Sequence, residues 1–406
     1  MAAKVSMNQQ ASRPLKVAYD IARLTAGGAN GGIKVHHYEF LRCFAEHFSD
    51  QLQLHIFCLE EIVPELDFLT LGGNHQIHIL GSRAAFEPRD FEKNLPPLHY
   101  WPEPPENLLS LLGIDVLYAG FGFSQLYTPD VPQVSLIVDV LHRVYPESLP
   151  PEEVAFRDKW YAEELEKATL VQTNSEYCKQ QLIDEFGADP DKIFVIGVPV
   201  HGRFNRVEMG QLPLEIAHIP HKYFLYPANY WPHKNHKRLI EAYALYEKEA
   251  GEDALHLVLT GDMNDLGQAR AKQIEELGLT HKIHQIGHQD MPTYKALWEL
   301  CHSLVFPSLY EGFGIPILEA MHFQKPTALS NSQCLTQVAS PESLNLETAD
   351  KSELAGTLLK LHSEAEGYRG ETNALERFTL PQEAKNWIHR IKEAANRCRK
   401  GVARSV

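Results

Sequence analysis

Short apolar runs alternate along the chain with stretches whose apolar positions recur at helical spacing. That alternation predicts α/β units with largely parallel sheets. In the first half, strands are expected at 15–19, 52–59, 75–80, 116–118, 134–139, 170–172 and 193–197, and helices at 34–47, 151–168 and 178–186. Residues 209–221 carry Pro213 and Pro220 and no clear period, and read as a linker. The alternation then restarts, with strands expected at 223–226, 256–260, 283–286 and 303–306 and helices at 235–250, 266–277, 291–300 and 316–323. A length of 406 residues suits two cores rather than one. The expected division is a disordered lead-in at 1–14, a first domain at 15–208, a second at 209–385 and a terminal helix at 386–406. In such sheets ligands gather outside the carboxyl ends of the strands, so substrates belong in the cleft between the halves.

Composition narrows the function. A formal net charge of −15 argues against a nucleic-acid surface, which needs clustered Lys and Arg to displace counterions. The six cysteines form no C-x-x-C pair, so neither a zinc site nor a disulfide framework is suggested, and reduced cytoplasmic thiols are the plain reading. No apolar window is long enough to span a bilayer, and the polar N-terminal segment lacks the apolar core of a secretory signal. The basic group Arg397, Arg399, Lys400 and Arg404 leaves room for peripheral contact with anionic lipid, although a solvated helix end is the plainer reading.

The segment from Phe306 to Met321 carries the chemistry. A strand runs into a loop with Gly312 and Gly314, and Pro316 stands where a first helical residue belongs. The amides of Phe313, Gly314 and Ile315 then point out of a helix N-terminus, which is an anion site. Glu311 precedes that helix, and Glu319 lies about one turn, roughly 5 Å, inside it. A carboxylate facing a diphosphate repels it, so each is expected to face hydroxyls. Lys234, at the start of the helix after the 223–226 strand, offers a point charge for a phosphate.

Glu311 and Glu319, seven residues apart in E-G-F-G-I-P-I-L-E, resemble the E-x7-E signature of the retaining GT-B glycosyltransferases of family GT4 (glycosyl transferases group 1). The resemblance implies two Rossmann-like α/β domains facing a cleft, with the last helix returning to the first domain. It also implies a donor-sugar contact for Glu311, ribose hydroxyls for Glu319, and donor phosphate on the amides of Gly312, Phe313, Gly314 and Ile315. The loop Trp231-Pro232-His233-Lys234-Asn235 resembles the family's P-x-K-N loop, so Lys234 would neutralise the leaving diphosphate. Ala228 and Asn229 stand where many members carry an arginine, which leaves His233 or Arg238 to supplement Lys234. Gly261, Gly287 and His288 resemble donor-side and nucleobase loops, and Gly31-Gly32 the turn that reaches the donor phosphate. Residues 137–147 resemble a stretch whose first histidine is Val138 here, so His142 is taken as the catalytic substitute.

The implied activity is metal-free transfer of a hexose, with retention, from a nucleotide sugar to a hydroxyl of a glycan or lipid-linked acceptor. This would belong to polysaccharide biosynthesis at the cytoplasmic side of a membrane. GDP-mannose is the first expectation for the donor, a UDP- or dTDP-sugar the alternative, and no separate cofactor is implied. Two other classes remain open, a nucleotide-sugar epimerase of similar architecture and a non-catalytic sugar-nucleotide-binding homologue. Asp189-Pro190-Asp191 matches the metal-binding D-x-D form but lies in a turn that Asp and Pro favour. His233-x-x-His236 lacks the third ligand of a zinc site.

Overall fold

In the computed structural model of the chain, residues 13–27, 30–71, 73–81, 95–214, 216–219, 222–364 and 373–403 are described. Most of the expected lead-in, Gly28 and Ala29 of the early loop, and Arg404 lie outside them, as do the side chains of 398–400.

The first half is built on β1 (Leu15–Asp20), β2 (Leu52–Cys58), β3 (Gln76–Leu80), β4 (Leu98–Trp101), β5 (Val116–Ala119), β6 (Gln133–Leu136), β7 (Leu170–Thr173) and β8 (Ile193–Val195). These pair in the order β4-β3-β2-β1-β5-β6-β7-β8, every neighbour parallel. The connecting helices are α1 (Gly31–His47), α2 (Leu108–Leu112), α3 (Leu141–Val144), α4 (Pro151–Lys167) and α5 (Glu176–Phe186). Strands β5, β6 and β7 are buried at every position, and β5 reads as an unbroken apolar run.

The second half holds β9 (Tyr223–Pro227), β10 (His256–Thr260), β11 (Ile283–Gln285), β12 (Ser303–Phe306), β13 (Thr327–Ser330) and β14 (Leu344–Leu346), in the order β11-β10-β9-β12-β13-β14. Its helices are α6 (His236–Ala250), α7 (Asp265–Glu276), α8 (Met291–Leu300), α9 (Ile315–His322), α10 (Gln333–Val338), α11 (Lys351–Glu364) and α12 (Asn373–Glu376). The last helix, α13 (Leu380–Ala403), crosses back. Its Ala384, Trp387, Ile388 and Ile391 join the core of the first half, where the Trp387 ring lies 4.6 Å from that of Phe44.

Several boundaries differ from the expectation. Helix α1 begins at Gly31, so the Gly-Gly pair opens a helix instead of ending a loop. Strand β6 ends at Leu136, which frees 137–139 to form a loop. Val198, Val200 and Phe204 already pack in the second core, as do Ile216 and Ile219 of the expected linker. The short 3₁₀ turn His201–Arg206 thus lies where the chain changes halves.

Each sheet reverses its strand order once, between β1 and β5 in the first half and between β9 and β12 in the second. Such switch points are where open α/β sheets hold ligands. The Gly-rich loop follows β1, the Lys234 loop follows β9, and the Glu311 loop follows β12.

Candidate active site

Three loops of the second half are stitched together beyond their strands. The Gly261 amide donates to the carbonyl of Gly287 at 3.1 Å, and the amide of Asp262 donates to Oδ1 of Asn229 at 2.9 Å. Gly261 has φ +121°, and a Cβ there would stand 2.4 Å from the carbonyl oxygen of Ala228. Only glycine lets these two chains pass so closely. Asn229, standing where a second cation was sought, is therefore spent on holding a neighbouring loop. His288 lies exposed beside them.

The Lys234 loop is clamped to the loop after β12. The carbonyl of His233 accepts the amide of Leu309 at 2.7 Å, and the Tyr226 hydroxyl donates to the carbonyl of Lys234 at 2.6 Å. Asn235 takes the left-handed conformation, φ 60°, that Asn tolerates better than most residues, and α6 starts directly after it. These constraints deliver Nζ of Lys234 to Oε1 of Glu311 at 2.5 Å, with both side chains largely buried. His233 is not a second cation. It is buried, and burial with Lys234 alongside pushes its imidazole down to about 3. Arg238 turns to Glu241 on the same helix.

The corner between β12 and α9 faces the first half. Gly314, at φ +95°, is the N-cap of α9, whose start carries no side-chain cap, and Pro316 is the second helical residue rather than the first. Among the described residues, the backbone amides of 311–315 find no hydrogen-bond acceptor. Gly312 lies against the loop after β6, where a Cβ would come within 2.4 Å of the carbonyl oxygen of Val138. The carbonyl of Gly312 accepts Oγ of Ser175 at 2.9 Å, and the hydroxyl of Tyr310 accepts the amide of Val140 at 2.8 Å. A Cβ on Gly32, at the start of α1, would meet the side chain of Ile315 at 2.7 Å. Two helix N-termini without side-chain caps thus approach each other across the halves, beside one lysine. Backbone N–H groups and the positive dipole ends of both helices favour an anion there. Lys34 supports the arrangement by holding the carbonyls of Thr25 and Gly27, each at 2.9 Å.

Two expected residues are placed elsewhere. His142 is buried under α4, with its ring 4.7 Å from that of Tyr161 and Nε2 3.2 Å from Asp158. Burial pushes it down to about 4, a core histidine rather than a group beside Glu311. Glu319, expected to present its carboxylate to a ribose, is 1% exposed. One oxygen accepts Nη2 of Arg203 at 2.6 Å, and the other accepts the hydroxyl of Tyr294 at 2.5 Å and Nε1 of Trp298 at 3.1 Å. A carboxylate this deep needs such partners, because an unpaired buried charge is costly. Arg203, Tyr310 and Ser175 escaped the sequence reading, since the contact each makes at this site is with a partner more than a hundred residues away.

Among the described residues, no group of three or more His, Cys, Asp or Glu is placed to hold a metal ion. Asp189 instead closes a turn, its Oδ1 accepting the amide of Asp191 at 2.9 Å. No described helix is long and apolar enough to cross a membrane.

Two parallel-sheet halves meeting at their switch points, with an uncapped helix start and a lysine between them, define the GT-B class of fold. The glycosyl transferases group 1 family model matches residues 218–371 of the chain. It is similar to O-antigen chain mannosyltransferase B of Escherichia coli, 27% identical over 61% of this chain and 65% of that protein. It is also similar to O-antigen chain mannosyltransferase RfbU of Salmonella typhimurium, 24% identical over 54% of this chain and 59% of that one. Each match spans less than two thirds of the relative's length. The crystal structure of HepE from Anabaena, solved with UDP and glucose, superposes with a TM-score of 0.63 at 16% identity. That superposition covers 93% of this chain and all of the other, and establishes the shared fold.

Proposed function

We propose that the chain is a retaining, metal-independent glycosyltransferase that moves mannose from GDP-mannose to a hydroxyl of a glycan or lipid-linked acceptor. The observation that carries this reading is the Lys234–Glu311 pair set beside the uncapped start of α9, where α1 begins opposite. The mannosyl choice is supported by the two relatives named for mannosyl transfer.

As the bond between the anomeric carbon and the diphosphate oxygen breaks, charge grows on the diphosphate. Lys234 and the amides of 313–315 are already aimed at that region, so little reorganisation is needed. The acceptor oxygen bonds to the anomeric carbon from the face the diphosphate leaves, and its proton passes to a diphosphate oxygen. Neither His142 nor any other enzymic base is required. Glu311, held by Lys234, is placed to accept hydrogen bonds from donor-sugar hydroxyls. Glu319 serves in this reading as an anchor for α9 rather than a ribose ligand.

Thermal melting against GDP-, UDP- and dTDP-sugars tests the donor, because a ligand that binds only the native state raises the melting temperature. GDP-mannose is expected to give the largest rise, and a UDP- or dTDP-sugar giving a larger one overturns that choice. Transfer to an acceptor mixture should proceed unchanged in chelator. A strict requirement for Mn²⁺ rejects the metal-free mechanism. Isomerised sugar formed from donor alone points to an epimerase instead.

A further inference from the structure

The 3₁₀ turn His201–Arg206 carries two arginines that reach different halves. Arg203 pairs with Glu319 on α9, and Arg206 places Nη2 on both carboxylate oxygens of Glu39 on α1. Three positions make one 3₁₀ turn, so the two side chains leave one face of the turn about 6 Å apart. The helices they grip are the two whose N-termini meet across the cleft. Glu39 lies eight residues into α1 and Glu319 four into α9, about 12 Å and 6 Å behind those N-termini at 1.5 Å per residue. Helices transmit such a tether rigidly.

We propose that Arg203 and Arg206 are positioning residues, and that the turn between them is a strut setting the gap between the starts of α1 and α9. The mechanistic half of this idea rests on the transfer reaction proposed above, while the mechanical half does not. The two joints are unequal. The Arg203–Glu319 pair is nearly dry, with side chains 10% and 1% exposed, and its carboxylate is held by Tyr294 and Trp298 as well. The Arg206 side chain is 41% exposed, so its joint is the one that yields. Beside it lies a cavity of about 280 Å³ lined by Glu39, Arg42, His201, Arg206, Thr379 and Pro381. Both places where the chain changes halves contribute to that lining, and the space lets the strut rock without a packing clash.

The full-length chain carrying Arg206→Glu, Glu39→Arg, or both together tests the strut. Arg206→Ala serves as a milder cut at a half-exposed position, and melting curves confirm that each variant folds. Small-angle scattering should show a larger radius of gyration for each single variant and recovery in the charge-swapped pair. Hydrolytic release of GDP from saturating GDP-mannose should fall about tenfold or more in the single variants, since misplacement of about 1 Å is severe for catalysis. The concentration for half-maximal rate should move little, and the swap should restore the rate. Single variants with unchanged scattering, or a swap no better than the singles, overturn the strut. Wild-type protein that releases no GDP while the scattering behaves as expected sinks the proposed donor and leaves the strut standing.

Discussion

Nζ of Lys234 donates to Oε1 of Glu311 across 77 positions of sequence, and both groups are mostly withdrawn from water. Each is therefore the other's nearest counter-charge. Lys234→Ala should lower kcat by about 10²–10³, the usual loss for one donor aimed at developing charge. It should also lower stability by about 3 kcal/mol, because Glu311 is left without its counter-charge. The double variant Lys234→Ala/Glu311→Ala should regain part of the stability and none of the rate. Denaturant unfolding beside initial rates separates the two effects, and equal recovery of both would deny the pair a catalytic part.

Gly312 is a point of close approach between the halves. Gly312→Ala places a methyl 2.4 Å from the Val138 carbonyl oxygen, and neither partner is a flexible side-chain end. The halves must separate or the corner must shift. Weaker nucleotide binding with both cores intact is expected, read by calorimetry with GDP. Wild-type affinity would show that the close approach is dispensable.

Acid should unfold this chain early. His37 is wholly buried between Tyr19 and the carbonyl of Gly120, and burial pushes it down to about 4. His78 and His236 are pushed down to about 3, again by burial first. Above pH 6.5 these groups are neutral in both folded and unfolded chains and have no effect. Between pH 6.5 and about 4 the unfolded chain binds their protons and the native state does not, so stability falls as pH drops. For His37 alone the slope is about 1.4 kcal/mol per pH unit. Melting temperatures across that window should fall steadily, and a flat profile would refute the neutral assignment.

Trp387 ties the returning helix to the first core, 1% exposed and against Tyr19, Phe44 and Tyr118. Trp387→Ala should cost about 3–5 kcal/mol, the range for emptying a buried aromatic site. Unfolding followed by near-ultraviolet dichroism gives the value directly. A cost below about 1 kcal/mol would mean that the helix docks loosely.

Much of the architecture was legible because buried parallel strands tend to be apolar runs, as 116–119 and 304–306 are. Strands β4, β13 and β14 were missed. They are short, and β14 at the sheet edge is only partly buried, which weakens the apolar run that reveals the others. The turn at 312–314 and the helix start after it were readable from local chemistry, because Gly, Gly and Pro act through their own backbone. Glu319 was misplaced for the opposite reason. Its surroundings come from Arg203, Tyr294 and Trp298, and no local spacing announces a partner in a distant turn. His142 failed likewise, since nothing beside it in sequence tells a cleft histidine from one roofed by α4.

The route of α13 bears on how the chain is made. Strand β1 leaves the ribosome before any of the second half, yet the indole that fills the space behind Tyr19 and Tyr118 arrives only after that second half has been translated. The N-terminal sheet must therefore wait, partly uncovered, while its neighbour folds as a unit. Nascent chains stalled short of residue 380 should engage chaperones that the finished protein no longer needs.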